Sequence, residues 1–298
     1  MDTTLPYLGE SLALIVAVVW AFAVILFKKS GETVNPIGLN LFKNVLALAL
    51  ILPTVWLFGQ ALVPSFSGHG YLLLLLSGAL GIGVSDTLFF KSLNLLGAGL
   101  SAIVDCLYSP FIIGLSMVWL GERLTLLQVI GVVMIVSAVL AATSKKGTTT
   151  ISRYDLVRGV IYGVLAMAVM ALGIVMIKPL LNISSLLWVT EIRLVGGVGI
   201  LILTVLVHPG RREIVGSIFE RTGRVYMVSG SFLGAYVAMI LWLAGMKFTQ
   251  ASTASALNQT SNIFVFVFAI IFLHEKINML RVIGIALAVL GVLLVMLG

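Results

Sequence analysis

The sequence predicts an all-α integral membrane protein with ten transmembrane helices, built as two inverted five-helix repeats. Two observations support this fold class. First, hydrophobic residues make up 60% of the 298 positions and charged residues only 10%, with a mean hydropathy of +1.19. A soluble domain carries roughly 25% charged residues, so this chain cannot cover a water-facing surface. Second, one pattern of residues occurs twice along the chain.

Ten stretches are long and apolar enough to cross a bilayer, which takes roughly 20 predominantly apolar residues. Short segments rich in Gly, Pro, Lys and Arg separate them. None of these separators is long enough to form a soluble domain, so we expect the activity to lie within the membrane. The predicted spans cover about residues 10–29, 36–58, 71–91, 97–120, 124–143, 156–178, 186–207, 224–246, 250–273 and 278–297.

The repeated pattern is clearest between Ser109 and Val136. A charged turn, Leu120-Gly121-Glu122-Arg123-Leu124, lies there between two apolar spans. It recurs 153 positions later as Leu273-His274-Glu275-Lys276-Ile277, and Val129-Ile130-Gly131 recurs as Val282-Ile283-Gly284. An acidic residue followed by a basic one, at matched positions between apolar spans, indicates a duplication.

The duplication extends over both halves of the chain. The same offset aligns Asp105 with Asn258, and an offset of 150 aligns Lys43 with Arg193. We place the first repeat at residues 1–147 and the second at residues 148–298. Each repeat holds five spans, and because five is odd the second repeat must enter the membrane from the opposite side. Many secondary transporters are built this way, with the substrate site near the midplane between the halves.

Charge and cysteine content exclude several other classes. The net charge of +7 comes largely from Lys and Arg in short loops, which favours membrane orientation over nucleic-acid binding and places both termini outside. Cys106 is the one cysteine, so no disulfide can form within the chain, and CxxC metal patterns are absent. We therefore expect no metal and no cofactor. Residues 1–10 lack a basic segment typical of signal peptides, so we expect the first span to be retained.

The order of these features resembles the EamA-type branch of the drug/metabolite transporter superfamily. In each repeat, an apolar helix, a Glu-basic turn and an Ile-Gly-containing helix carry the resemblance, which covers nearly the whole chain. Further similar positions are Trp20, Lys28, Lys43, Arg193 and the Ser109-Pro110 step. The resemblance implies a ten-helix carrier of small metabolites in a bacterial or archaeal cell membrane. Such carriers often export amino acids or related compounds, and they usually couple to the proton gradient.

Two features depart from the pattern of that family. Ile263 stands where the first repeat has Pro110, so we expect the two halves to be kinked unequally. The family more often has cytoplasmic termini, whereas the distribution of Lys and Arg favours termini outside. The orientation stays open between these two, with preference for the charge distribution.

Asp105, in the fourth span, is the first candidate for a functional side chain. An ionisable residue inside a membrane helix costs about 2.5–3.5 kcal/mol on insertion scales, so its presence there suggests a function. Pro110 removes a backbone donor and loosens the helix beside it. We expect Asp105 to bind a proton or a substrate amine. The alternative is a buried ion pair with Lys43 or Arg193 that only fixes helix packing.

Polar residues on one face of the fourth span and one face of the ninth are expected to line a central cavity. Residues three or four positions apart share a helix face. The fourth span contributes Ser101, Asp105, Tyr108 and Ser109, and the ninth contributes Asn258, Ser261 and Asn262, with Gln259 beside them. Two such stripes from opposed repeats would enclose a substrate between the halves.

Lys43 and Arg193 are each about two helix turns into their spans. They are candidates to contact a carboxylate or phosphate of the substrate, Arg193 through its forked donors. The alternative is that both long side chains extend to the membrane interface. Glu191, two residues from Arg193, is expected to face elsewhere. For Asp86 we favour a helix-end charge pair with Lys91.

Several aromatic residues are candidates to stack against an apolar or aromatic solute, although any one of them is equally suited to packing. They are Trp20, Phe89, Phe90, Tyr108, Tyr236 and Trp242. Glu122 and Glu275, in the repeated turns, are interpreted as structural carboxylates that complement a helix N-terminus.

The predicted function is secondary active transport of small organic metabolites such as amino acids, in the direction of export, by alternating access and with proton coupling. The expected partners are a small-molecule substrate and membrane lipids, and the oligomeric state is not indicated. A flippase for a lipid-linked headgroup fits the same architecture, and a channel is a third possibility. An intramembrane lipid-acting enzyme is less favoured, because no HExxH or GxSxG motif is present.

Overall fold

A computed structural model describes residues 8–61, 66–120, 125–143, 151–249, 254, 257–276 and 278–297 of the chain. Within these residues all regular secondary structure is helical. The α-helices are α1 (Leu8–Ser30), α2 (Pro36–Leu57), α3 (Gly68–Gly78), α4 (Asp86–Leu96), α5 (Ala98–Asp105), α6 (Tyr108–Leu120), α7 (Leu126–Ala142), α8 (Arg153–Val175), α9 (Lys178–Ile183), α10 (Leu186–Val207), α11 (Arg211–Ile218), α12 (Arg224–Ser231), α13 (Ala238–Phe248), α14 (Ser261–Leu273) and α15 (Met279–Leu297). Two π-helical segments, π1 (Ala79–Ser85) and π2 (Phe232–Val237), join α3 to α4 and α12 to α13.

The helices agree with the ten predicted spans. Among the described residues, seven helical stretches are long and apolar enough to cross a membrane, and three shorter apolar helices, α7, α14 and α15, complete the set. The short helices α9 and α11 lie in connections and were not predicted. The turn at Glu122-Arg123 and the predicted repeat boundary at residue 147 lie outside the described residues.

Several helices begin at polar side chains that accept hydrogen bonds from the first turn. Asn35 Oδ1 accepts from the backbone N–H of Ile37 at 2.9 Å, and Ser152 Oγ accepts from that of Asp155 at 3.1 Å. Thr125 forms a reciprocal capping box with Gln128. The first turn of a helix leaves its N–H groups without partners, so these side chains fix where α2, α8 and α7 start.

The fourth span is interrupted at Cys106 and Leu107, between α5 and α6. Pro110 causes this break, because its ring clashes with the carbonyl four residues earlier and it has no N–H to donate. That carbonyl, of Cys106, instead accepts a 3.3 Å hydrogen bond from the backbone N–H of Ser109. The loosening expected beside Asp105 is therefore present.

The ninth span is interrupted at the matching positions, Gln259 and Thr260, although Ile263 stands in place of proline. Thr260 Oγ1 donates to the Leu257 carbonyl at 2.7 Å, and this local bond competes with regular helix formation. Proline is therefore not required for the break. Although Ile263 replaces proline, both repeats are interrupted at matching positions.

The helices pack as two repeats related by a two-fold axis. Helix α1 contacts α13 and α14, and its counterpart α8 contacts α4 and α6. The counterpart pairs α2 with α10 and α7 with α15 contact each other directly. Exchanging the two repeats therefore reproduces the contact pattern, as inverted five-helix repeats require.

A polar residue of α2 holds the π1 segment in place. Asn40 Nδ2 donates to the carbonyls of Ile82 and Gly83 at 2.8 and 3.1 Å, and to Thr87 Oγ1 at 2.9 Å. A π-helical turn alters the hydrogen-bond spacing of the backbone, and buried carbonyls need partners wherever that spacing changes. Asn40 supplies them and so fixes α2 against π1 and the start of α4.

Glu275 caps a helix of the other repeat. Its two carboxylate oxygens accept hydrogen bonds from the backbone N–H groups of Ala98, at 2.6 Å, and Gly99, at 3.0 Å. These are the first residues of α5. A carboxylate at this place complements the positive end of the helix dipole, in agreement with the structural role predicted for Glu275.

Candidate functional site

One cavity of about 130 Å³ brings together seven of the side chains predicted for the site. Both repeats contribute to it, through spans that carry the interruptions and the π-helical segments. The predicted residues that line it are Trp20, Lys43, Asp105, Tyr108, Arg193, Asn258 and Asn262. Residues far apart in the sequence therefore form one chemical environment between the repeats.

Asp105 is the last residue of α5 and lies at the helix interruption. Its Oδ1 atom is buried and has no hydrogen-bond partner among the described residues. Its backbone carbonyl accepts a 3.2 Å hydrogen bond from Gln259 Nε2 across the repeat boundary. The alternative of a packing ion pair between Asp105 and Lys43 or Arg193 is not observed among the described residues, where Lys43 pairs with another carboxylate and no ion pair to Asp105 is present.

That carboxylate belongs to Asp86. Lys43 Nζ lies 2.6 Å from Asp86 Oδ2, and the two side chains are only 2% and 8% exposed. The predicted helix-end pair of Asp86 with Lys91 is wrong, because the span continues to Leu96 and Asp86 is not at its end. Lys91 Nζ lies 5.7 Å from the ring centroid of Tyr162 instead.

Arg193 is 1% exposed, so neither it nor Lys43 reaches the membrane interface, and that alternative is wrong. Its Cζ atom lies 5.5 Å from the ring centroid of Trp242. Its Nε and Nη1 atoms have no hydrogen-bond partner among the described residues. The guanidinium therefore faces the cavity with hydrogen-bond donors that no described residue accepts from. Glu191 is buried but does not line the cavity, as expected.

The predicted polar stripe of the ninth span is found, whereas that of the fourth is only partly found. Asn258, Gln259, Ser261 and Asn262 all line the cavity. Asn262 Nδ2 also donates to Gln259 Oε1 and, at 3.3 Å, to Cys106 Sγ.

Ser101 and Ser109 are buried outside the cavity lining, contrary to prediction. For Ser109 the reason is the break at Cys106 and Leu107, which removes the regular helical register between Asp105 and Ser109. Ser101 precedes this break in the same helix as Asp105, and the break does not explain its position.

The aromatic candidates divide into two groups. Trp20, Phe89, Tyr108 and Trp242 line the cavity. Phe90 packs against Lys43, and Tyr236 forms a 2.6 Å hydrogen bond with Thr54, so both have structural contacts instead.

Sequence reasoning did not assign eight lining residues to the site. They are Val16, Ile82, Asp86, Met167, Met170, Gly234, Ala238 and Met239. The signal for Asp86 was its charge within an apolar span, whereas apolar residues in such spans carry no comparable signal.

The sequence model of the EamA-like transporter family matches residues 7–144 and again residues 157–297, so nearly the whole chain is covered by two copies. The chain belongs to the EamA-like transporter family. It is similar to an uncharacterized transporter of Archaeoglobus fulgidus, with 25% identity over 291 residues that make up 96% of this chain and 97% of the relative. A solved structure described only as the crystal structure of a protein has the same fold, with a TM-score of 0.71, 16% identity, and coverage of 97% of this chain and 96% of that one.

Membership confirms the resemblance seen in the repeated turns. This EamA-like transporter is a multi-pass integral membrane protein that carries a small molecule, and it is not an enzyme. The cavity is therefore interpreted as the place where the transported molecule is held.

Proposed function

We propose that this EamA-like transporter is a proton-coupled secondary carrier that exports small organic metabolites such as amino acids by alternating access. The observation that supports this most directly is the unpaired carboxylate of Asp105 in a cavity built by both inverted repeats. Charged groups are kept inside membrane spans at a cost, and those without a structural partner are the usual proton and substrate sites.

In this mechanism Asp105 takes up either a proton or the amine of the substrate. When protonated it is neutral, and when ionised it favours a cation in the cavity. Arg193 offers forked donors that fit a carboxylate. Lys43 acts on the site only through its pair with Asp86, which is neutral overall. The halves then rock around the occupied cavity, so that it opens to one side of the membrane at a time.

The test is counterflow in proteoliposomes with a panel of amino acids, amines, sugars and nucleosides. We expect saturable exchange of at least one solute. In Asp105→Asn, transport driven by a pH gradient is expected to be lost while exchange without a gradient persists. Unchanged pH-driven transport by a folded Asp105→Asn protein would contradict the assignment of Asp105.

A matched control comes from the repeat symmetry. The double variant Asp105→Asn with Asn258→Asp moves the carboxylate to the equivalent position of the other repeat. If a cavity carboxylate is what couples transport, this variant is expected to regain part of the pH-driven transport. No exchange with any soluble solute would instead favour a lipid-linked headgroup as cargo.

A further inference from the structure

The two repeats differ in the surroundings of the cationic side chain that each contributes to the cavity, Lys43 in the first and Arg193 in the second. In the first repeat, Lys43 pairs with Asp86, the first residue of α4. An offset of 150 places Arg193 at the position of Lys43, and α13 begins at Ala238 as α4 begins at Asp86, so Ala238 stands at the position of Asp86. Both Arg193 and Ala238 line the cavity. The carboxylate that neutralises the cation in the first repeat is therefore replaced in the second by an apolar side chain.

The surroundings of the two cations otherwise correspond. Lys43 Nζ lies 5.6 Å from the ring centroid of Phe90, and Arg193 Cζ lies 5.5 Å from that of Trp242. A π-helical segment directly precedes each of the helices α4 and α13 that carry these rings. The same local architecture thus presents both cations, and because Phe90 and Trp242 are 152 positions apart, it places Ala238 at the position of Asp86.

The first repeat is also held together by polar contacts that the second lacks. Asn40 and Asn44 form part of its network, since Asn44 Nδ2 donates to the Asn40 carbonyl at 2.8 Å. The aligned residues of the second repeat are Thr190 and Leu194, and Thr190 Oγ1 donates within its own helix, to Leu186. The cation of the first repeat thus has a carboxylate partner and asparagines beside it, whereas Nε and Nη1 of Arg193 have no hydrogen-bond partner among the described residues.

The buried guanidinium of Arg193 would be stabilised by an anionic partner. Arg193 is 1% exposed, and its Nε and Nη1 atoms have no hydrogen-bond partner among the described residues. Leaving buried charged donors unsatisfied is costly, and the guanidinium fork matches the two oxygens of a carboxylate. The side chain of Ala238, at the position equivalent to Asp86, offers no competing acceptor.

We propose that Arg193 binds the anionic group of the transported solute, at the place that Asp86 occupies beside Lys43, and that the substrate is a compact carboxylate-bearing solute. This rests on the proposed carrier function and deepens it. Lys43 is not a second anion site, because Asp86 already neutralises it. The volume of about 130 Å³ is close to that of a 150 Å³ cavity known to hold benzene, which limits the solute to a few carbon atoms beyond the carboxylate in this conformation.

The test uses three carboxylates and their uncharged amides of nearly equal shape. The probes are propionate, butanoate and 4-methylpentanoate, each paired with its amide. Their affinities are measured on the purified full-length protein in detergent, by the rise in unfolding temperature and by intrinsic fluorescence, because Trp20 and Trp242 line the cavity. For wild type we expect at least one carboxylate to bind about tenfold or more tightly than its amide.

Ala238→Asp supplies the missing carboxylate at the position equivalent to Asp86. We expect it to lower the affinity for the carboxylate about tenfold or more and so abolish the preference over the amide. Ala238→Asn has the same shape as Ala238→Asp without the charge, and it is expected to keep the preference. A wild-type protein with no carboxylate preference, or an Ala238→Asp protein that keeps it, would overturn the proposal.

The wild-type comparison stands even if Ala238→Asp does not fold. It also separates this proposal from the carrier function. Preferential carboxylate binding without any exchange in proteoliposomes would leave the anion site in place and reject the carrier. Exchange of soluble solutes without a preference for carboxylates would support the carrier function and reject the anion site at Arg193.

Discussion

Asp86 and Asp105 line the same cavity, yet their surroundings differ. Asp86 has Lys43 at 2.6 Å, and the pair is neutral as a unit. A buried pair of this kind gives little net stabilisation, because the cost of removing both charges from water offsets their attraction. Asp105 Oδ1 has no partner in the described part of the chain, so Asp105 keeps the capacity to bind a proton or a cation. At the scale of single residues, pairing separates the structural carboxylate from the candidate functional one.

The pair of Lys43 and Asp86 can be tested by removing one partner or both. Lys43→Met leaves a buried carboxylate alone, and we expect it to lower the free energy of unfolding by about 3–5 kcal/mol. Lys43→Met combined with Asp86→Leu removes both charges, and it is expected to restore most of that loss. The measurement is denaturant unfolding in mixed micelles. Equal destabilisation by the single and the double variant would show that the pair does not act as a unit.

At the scale of elements, the helices of the cavity approach one another at glycines. A Cβ atom at Gly78 would lie 1.9 Å from the Arg193 carbonyl oxygen, and one at Gly196 would lie 2.3 Å from the Leu75 carbonyl oxygen. Gly199 is different, because a Cβ there meets nothing within 4 Å. The glycines of α3 and α10 near this contact therefore allow close backbone packing, and the same contact sets the position of Arg193.

Gly78→Ala and Gly199→Ala form a matched pair on this interface. Gly78→Ala forces α3 and α10 apart, and we expect it to lower the free energy of unfolding by about 1–3 kcal/mol. Gly199→Ala places a methyl group in open space, so its effect is expected to stay within about 0.5 kcal/mol. Thermal unfolding in detergent compares them. Equal stability of the two variants would contradict the close contact at Gly78.

The sequence predicted elements better than contacts between them. The ten spans follow from the length that a bilayer imposes, and Pro110 marks the break beside Asp105 because its chemistry is local. The π1 and π2 segments have no comparable local signal, and the break at Thr260 occurs without proline. The partner of Asp86 depends on how α2 packs against α4, which spacing along one helix cannot reveal.

At the scale of the whole molecule, both repeats place a lysine side chain against carbonyl groups at the end of a helix. Lys28 Nζ donates to the Asn94 carbonyl near the end of α4, at 3.2 Å. Lys178, which an offset of 150 aligns with Lys28, donates to the carbonyls of Met246 and, at 3.0 Å, Thr249 at the end of α13. A cation at these carbonyls complements the negative end of a helix dipole. Because the repeats are inverted, the two contacts lie on opposite faces of the membrane.

The loop charges predict the orientation of the whole molecule. The connection between α10 and α12 carries Arg211, Arg212 and Arg221, whereas the connection after α2 carries no Lys or Arg between Phe58 and Gly70. By the positive-inside rule we expect the first connection in the cytoplasm and the second outside, which would also place both termini outside. The family habit of cytoplasmic termini predicts the reverse, so a direct measurement decides between them.

Cysteine labelling in intact cells measures this orientation. Ala61 and Glu220 are exposed and lie in the two connections, whereas the native Cys106 is fully buried and gives the background. A membrane-impermeant maleimide is expected to label Ala61→Cys in intact bacterial cells, and Glu220→Cys only after permeabilisation. The opposite pattern would put both termini in the cytoplasm. Labelling of both variants in intact cells would mean that the loop charges do not impose a single orientation, because the charge difference would then be too weak to direct insertion.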